Sequence, residues 1–168
     1  MKEGLLSKVP NKVDSNILAV YSDYESDANG AYTFLLGARV SSTDNVPSGM
    51  VAKKVPAGRY AVFTSEKGFV GKVVPETWSR IWAVPKSAPG GNRAYQADFE
   101  AYDQRAADPQ NAQVDIYVGI KYSVPKKAQS TERPSITLSI ARCCFKIVLP
   151  EPRRRSGKMP RGNRKTCA

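Results

Sequence analysis

Asp98, Phe99, Glu100, Ala101, Tyr102 and Asp103 are consecutive and set three carboxylates among two aromatic rings, in a stretch that reads as a β-strand. Side chains alternate between the faces of a strand. Asp98, Glu100 and Tyr102 therefore share one face, and Phe99, Ala101 and Asp103 the other. A carboxylate held under a helix needs a cationic partner or a proton, because burying an unpaired charge is costly. With rings beside it such a group is suited to holding a cation; in water the same residues make an ordinary acidic strand face. Trp78, Ile81 and Trp82 fall one helical turn apart, a stripe that serves equally as core or as the wall of a site. Arg59 and Arg80 are the cations that could neutralise Glu100 when no ligand is present.

Composition narrows the chemistry available. The chain has 168 residues and no histidine, which excludes Ser-His-Asp and Cys-His catalysis and any imidazole metal site. Its three cysteines, Cys143, Cys144 and Cys167, lie near the C-terminus, so the rest has neither a disulfide framework nor a cysteine metal cluster. This usage fits a reducing cytoplasm, the expected location, and no cofactor or metal is expected. No apolar run is long enough to span a bilayer, so no membrane partner is expected either. Charge is unevenly placed: residues 1–122 hold 14 Lys and Arg against 13 Asp and Glu, and residues 123–168 hold 12 against 2.

The elements that must position these groups follow from hydrophobic periodicity and turn residues. Asn16 to Tyr24 and Ala31 to Ser41 read as strands joined through Asn29-Gly30 into a hairpin. Met50 to Val55 reads as a short strand ended by Pro56, and Ala57 to Thr64 as another. Val74, Trp78, Ile81 and Trp82 predict a helix over about Val70 to Ala83, with Pro75 tolerated in its first turn and Pro85 as its stop. Two strands follow, Tyr95 to Asp103 and Ala112 to Tyr122, joined by the polar loop Gln104 to Asn111.

The two hairpins look alike. Asp23-Tyr24-Glu25 matches Asp98-Phe99-Glu100, and Leu36-Gly37-Ala38-Arg39-Val40 matches Val118-Gly119-Ile120-Lys121-Tyr122, so residues 1–122 read as a duplicated β-α-β-β unit. On that comparison the first unit lacks its opening strand and most of its helix, and the domain is expected to be N-terminally shortened. Residues 123–168 are rich in Pro and Arg and are expected to form a disordered basic tail. The tail reads either as a read-through extension or as an arm that touches nucleic acid non-specifically through phosphates.

The ordered runs Val20 to Asp27, Gly30-Ala31-Tyr32, Pro47 to Met50, Val55 to Phe63, Trp78 to Trp82, Asp98 to Asp103 and Val114 to Lys121 resemble the gyrase-inhibitor-like family. This family is also known as the effector-binding domain of AraC-type bacterial transcription activators, and the similarity points to its stand-alone branch, which includes proteins of integron gene cassettes. The resemblance covers about residues 5 to 121. It implies an α+β fold in which two β-α-β-β units form a curved antiparallel sheet, with helices on one face and a ligand groove between them. It also implies a buried glutamate that pairs with a cationic ligand among aromatic rings. That places Glu100 on the cation, Tyr102 beside it, Trp78 and Trp82 on the helix, and Tyr24 and Phe34 in the other half of the groove.

The function so implied is a non-enzymatic module that binds a small cationic, aromatic or lipophilic molecule and passes a signal to a regulatory protein partner or sequesters the compound. No helix-turn-helix is recognisable. Two alternatives are a small-molecule hydrolase using a Tyr-Glu pair, and an inhibitory partner of a protein such as gyrase.

Overall fold

The computed structural model describes residues 6–121 and 139–150. In chain order these form β1 (Ile17–Ser22), β2 (Thr33–Val40), β3 (Met50–Thr64), α1 (Val70–Ala83), β4 (Arg93–Tyr102), a 3-10 turn (Gln104–Ala106), β5 (Asp115–Ile120) and β6 (Ser139–Pro150). Every pairing is antiparallel, and the order β1-β2-β6-β3-β5-β4 closes on itself as a barrel. The α+β class and the curved antiparallel sheet with a helix on one face are as the sequence led us to expect.

Local chemistry explains where each element stops. β1 ends at Ser22 because Asp23 takes a positive φ of 52° and turns the chain out of the sheet. In the loop that follows, the Asp27 carboxylate accepts the Asn29 amide at 2.8 Å and its carbonyl accepts the Gly30 amide at 3.2 Å. β3 runs unbroken through Pro56, where two strands were expected. Its pairing with β6 shifts between Val55 and Gly58, and a bulge is where a strand tolerates a residue that has no N–H to give. α1 buries Val73, Val74, Thr77, Trp78 and Ile81 along one side and carries Pro75 in its second turn.

The ladders define an internal two-fold. Gly37 and Gly119 correspond, as the sequence repeat indicated, and the observed registers then bring Tyr21 onto the position of Glu100 and Ala19 onto that of Asp98. The matching of Asp23-Tyr24-Glu25 to Asp98-Phe99-Glu100 is therefore corrected, since Asp23 already lies outside the strand. By the same two-fold, β2 should have on its outer side what β5 has in β3. That place is taken by β6, which pairs Ala38, Arg39 and Val40 with Val148, Ile147 and Lys146. Ser139–Pro150 lies within the stretch expected to be a disordered tail and instead forms a strand with ladders to both neighbours. Backbone pairing on two sides satisfies donors and acceptors that a basic, Pro-rich composition does not reveal. The rest of the expected tail lies outside the described residues.

Two apolar layers result. Leu18, Val20, Leu35, Val55, Tyr60, Ala97 and Phe99 pack on the inner face of the barrel, with the Phe99 and Tyr117 rings stacked at 4.4 Å. On the face toward α1, Ala61, Phe63, Val114, Ile116 and Val118 meet Val73, Val74, Trp78 and Ile81. Burying side chains of this size contributes about 1.5–3 kcal/mol each, which holds the helix over β3 and β5. Asp98 and Glu100 sit under this layer.

Candidate functional site

Strand alternation delivers Asp98 and Glu100 to the α1 side of β4, opposite Tyr21 and Ala19 of β1. Both carboxylates are buried, Asp98 at 0% and Glu100 at 3% exposure. Their surroundings differ in kind.

Asp98 is paired. It meets the Nη2 of Arg93 in a short ion pair, accepts the Tyr24 hydroxyl at 2.7 Å, and accepts the Gly119 amide at 2.8 Å. A side chain at Gly119 would put its Cβ 2.7 Å from the Ala97 carbonyl oxygen, so glycine is what lets β5 approach this closely. Arg93 reaches Asp98 because β4 is irregular between Arg93 and Asp98, where Tyr95 has a positive φ of 54°. That conformation is disfavoured for an aromatic residue and is held in place by the contacts around it. The Tyr95 ring lies 4.5 Å from the Arg93 guanidinium carbon and packs edge-on against Tyr24 at 5.7 Å. Burial works against the charge on Arg93, but the Asp98 carboxylate outweighs it and holds the guanidinium above its ordinary range.

Glu100 has neutral donors alone. Its Oε1 accepts the Tyr21 hydroxyl at 2.8 Å and the Trp78 indole N–H at 2.6 Å, and its Oε2 accepts the Tyr102 hydroxyl at 2.6 Å. Among the described residues no cation forms an ion pair with it. Arg80, one of the two expected neutralisers, points outward toward Glu66 at 3.7 Å, and Arg59 lies on β3 opposite Ile120 and Arg142. Burial first, and then the Glu100 charge, push the Tyr21 and Tyr102 phenols well above their ordinary range; burial and Asp98 do the same to Tyr24. All three thus stay protonated as donors at neutral pH. With Arg93 committed to Asp98, the buried cluster carries one more carboxylate than cation.

The rings around Glu100 form a continuous set. Tyr21 packs edge-on against Trp78 at 5.5 Å and touches Phe34 at 5.2 Å and Tyr32 at 5.8 Å; Trp82 stacks on Trp78 at 6.2 Å. Phe34 is 46% exposed and marks the open side of the cluster.

Of the residues expected from the sequence, Glu100, Tyr102 and Trp78 are in direct contact, Trp82 is one ring further out, and Phe34 joins through Tyr21. Tyr24 belongs to Asp98 rather than to Glu100, with Tyr32 at 6.0 Å as its link to the other rings. Sequence reasoning missed Tyr21, Tyr32, Asp98 as an ion-paired group, Arg93 and Tyr95. Tyr21 could have been found from the repeat had Gly37 and Gly119 alone set the alignment.

Comparison with known proteins shows the family. The pattern that defines integron-associated effector binding proteins (Cass2) matches residues 1–120. A Bacillus subtilis (strain 168) protein that carries a transcriptional-regulator name, YobU, is 46% identical over 108 residues, 64% of this chain and 66% of that protein. The transcriptional regulator BrlR of Pseudomonas aeruginosa is 38% identical over 94 residues, 55% of this chain and 34% of that protein. The chain thus spans just under two thirds of one curated relative and about a third of the other. Since the family pattern takes in residues 1–120 of its 168, the chain belongs to the integron-associated effector binding protein family.

Proposed function

We propose that this protein binds a small aromatic cation, with Glu100 as the counter-charge and Trp78, Trp82, Tyr21, Tyr102 and Phe34 as the surrounding rings. One observation carries the reading: Glu100 is buried, accepts three hydrogen bonds, and has no cationic partner among the described residues, while the neighbouring Asp98 has one. An anion desolvated in this way gains most from a cation that is itself poorly hydrated, which favours a lipophilic aromatic ion over an ammonium point charge. Each ring facing the cation adds about 0.5–2 kcal/mol, enough together with the carboxylate for micromolar binding.

The same geometry supports binding rather than catalysis. Tyr21 and Tyr102 are held protonated and each donates its hydroxyl to Glu100, so neither phenol is poised to remove a proton from water. The regulator names of the relatives support a role in which the bound effector is signalled to a partner protein. A thermal-shift panel tests the reading, because a ligand of the folded state raises the melting temperature. Planar aromatic cations should raise it and their uncharged isosteres should not; equal shifts from both would refute the role given to Glu100.

A further inference from the structure

Four buried side-chain nitrogens among the described residues lack a hydrogen-bond partner: Arg39 Nε, Trp82 Nε1, Arg93 Nε and Arg93 Nη1. Arg39 is 42% exposed and tied to Asp14, away from the ring cluster. The other three gather around one ring. Trp82 stacks on Trp78 at 6.2 Å, and the Arg93 guanidinium carbon lies 5.7 Å from the centre of the same indole, whose N–H binds Glu100. The Arg93 side chain is 5% exposed, and only its Nη2 is engaged, by Asp98. The donors that reach the two carboxylates have their acceptors: Tyr21, Tyr102 and the Trp78 N–H on Glu100, and Tyr24 on Asp98. A buried N–H left unpaired forfeits its hydration with nothing in return, so such groups in a folded protein meet an acceptor supplied by protein, water or ligand.

We infer that the effector carries, besides its positive charge, a hydrogen-bond acceptor such as a carbonyl oxygen, which meets one of the unpartnered N–H groups, on Trp82 or on Arg93. The inference rests on the cation reading and narrows it. Glu100 binds the N–H of the Trp78 indole, Trp82 stacks on that indole and the Arg93 guanidinium lies over it, so the charge and the unpaired donors border one ring. A simple hydrocarbon cation would satisfy Glu100 and leave the three donors bare. Sites built to hydrogen-bond a substrate group discriminate strongly against analogues that lack it, whereas greasy walls do not.

The test is calorimetric titration of the full chain with a matched pair: an N-benzylquinolinium ion bearing an acetyl group, and the same ion with ethyl in its place. Charge and shape are nearly equal, and one carbonyl oxygen differs. The acetyl ion should bind about tenfold more tightly, the factor given by about 1.4 kcal/mol from one added hydrogen bond. Trp82→Phe keeps a ring and removes its N–H, and Arg93→Lys keeps the charge on Asp98 and removes the guanidinium donors. The substitution that removes the donor in contact with the carbonyl should bring the ratio of the two affinities toward one while the other leaves it unchanged, and because the readout is a ratio, a general loss of affinity in either variant does not obscure it. A ratio of one in the unaltered protein, or a ratio that neither substitution changes, overturns the inference and leaves these donors to water. Glu100→Gln separates the two premises: it should lower both affinities and keep the ratio. If neither affinity falls, the cation reading fails whatever the ratio shows.

Discussion

Alkaline pH should unfold this protein through its buried tyrosines, and the size of the effect follows from the site. Tyr21, Tyr24 and Tyr102 have phenols held well above their ordinary range by burial, by Glu100 in two cases and by Asp98 in the third. A group whose folded pKa is raised contributes stability that is fully present below its unfolded value, about pH 10, and is lost as pH rises beyond it. Above that point the unfolded chain releases the proton and the folded one does not. Each phenol then costs about 1.36 kcal/mol per pH unit, or about 2.7 kcal/mol by about pH 12. Three together remove about 8 kcal/mol, comparable with the 5–15 kcal/mol that a domain of this size has. Tyrosinate absorbance and far-ultraviolet circular dichroism, followed together, should show some of the eight tyrosines titrating near their ordinary pH and these three appearing only in a cooperative step that coincides with loss of structure. If all eight titrate non-cooperatively near pH 10 while the dichroism is unchanged, the three hydroxyls are not the buried donors described here.

Asp98→Asn should destabilise the fold by about 3–5 kcal/mol in denaturant titrations, since it leaves the Arg93 charge buried without its partner. Arg93→Met combined with Asp98→Asn should recover part of that loss, and additive losses would show that the ion pair is not the origin. Ile147→Pro removes a backbone donor from the middle of β6, which pairs with both β2 and β3. Sedimentation should then reveal concentration-dependent association through the exposed strand edges, and a monomer with an unchanged melting temperature would argue against β6 as the strand that closes the barrel.

Much of the site was legible because it depends on local periodicity. Strand alternation alone put Asp98, Glu100 and Tyr102 on one face, and helical spacing put Trp78 and Trp82 on one side of α1. The Arg93–Asp98 pair was not legible, because it depends on a β-bulge at Tyr95, an aromatic residue with φ of 54° that propensity argues against. Without that pair the two acids look equivalent, and it is their difference that singles out Glu100. Pro56 reads as a strand terminator, yet β3 passes through it, since a bulge supplies a place where no backbone donor is needed. β6 was hidden for the opposite reason. Ile136 to Leu149 carries the apolar content of residues 123–168, but its neighbours in sequence are basic and Pro-rich, and the partners it pairs with, β2 and β3, lie far away along the chain.

In the proposed function Glu100 supplies the charge that holds a cation. Calorimetric titration of the unaltered chain and of Glu100→Gln with a planar aromatic cation and its uncharged isostere tests it most directly. Glutamine keeps the shape and still accepts from Tyr21 and Trp78, so the fold should survive, and Glu66→Gln, at an exposed acid between β3 and α1, serves as the control. The cation's affinity should fall by about 2–4 kcal/mol in Glu100→Gln and stay unchanged in Glu66→Gln, with the isostere indifferent to both. Cation binding that survives Glu100→Gln undiminished would contradict the account and place the ligand elsewhere on the protein.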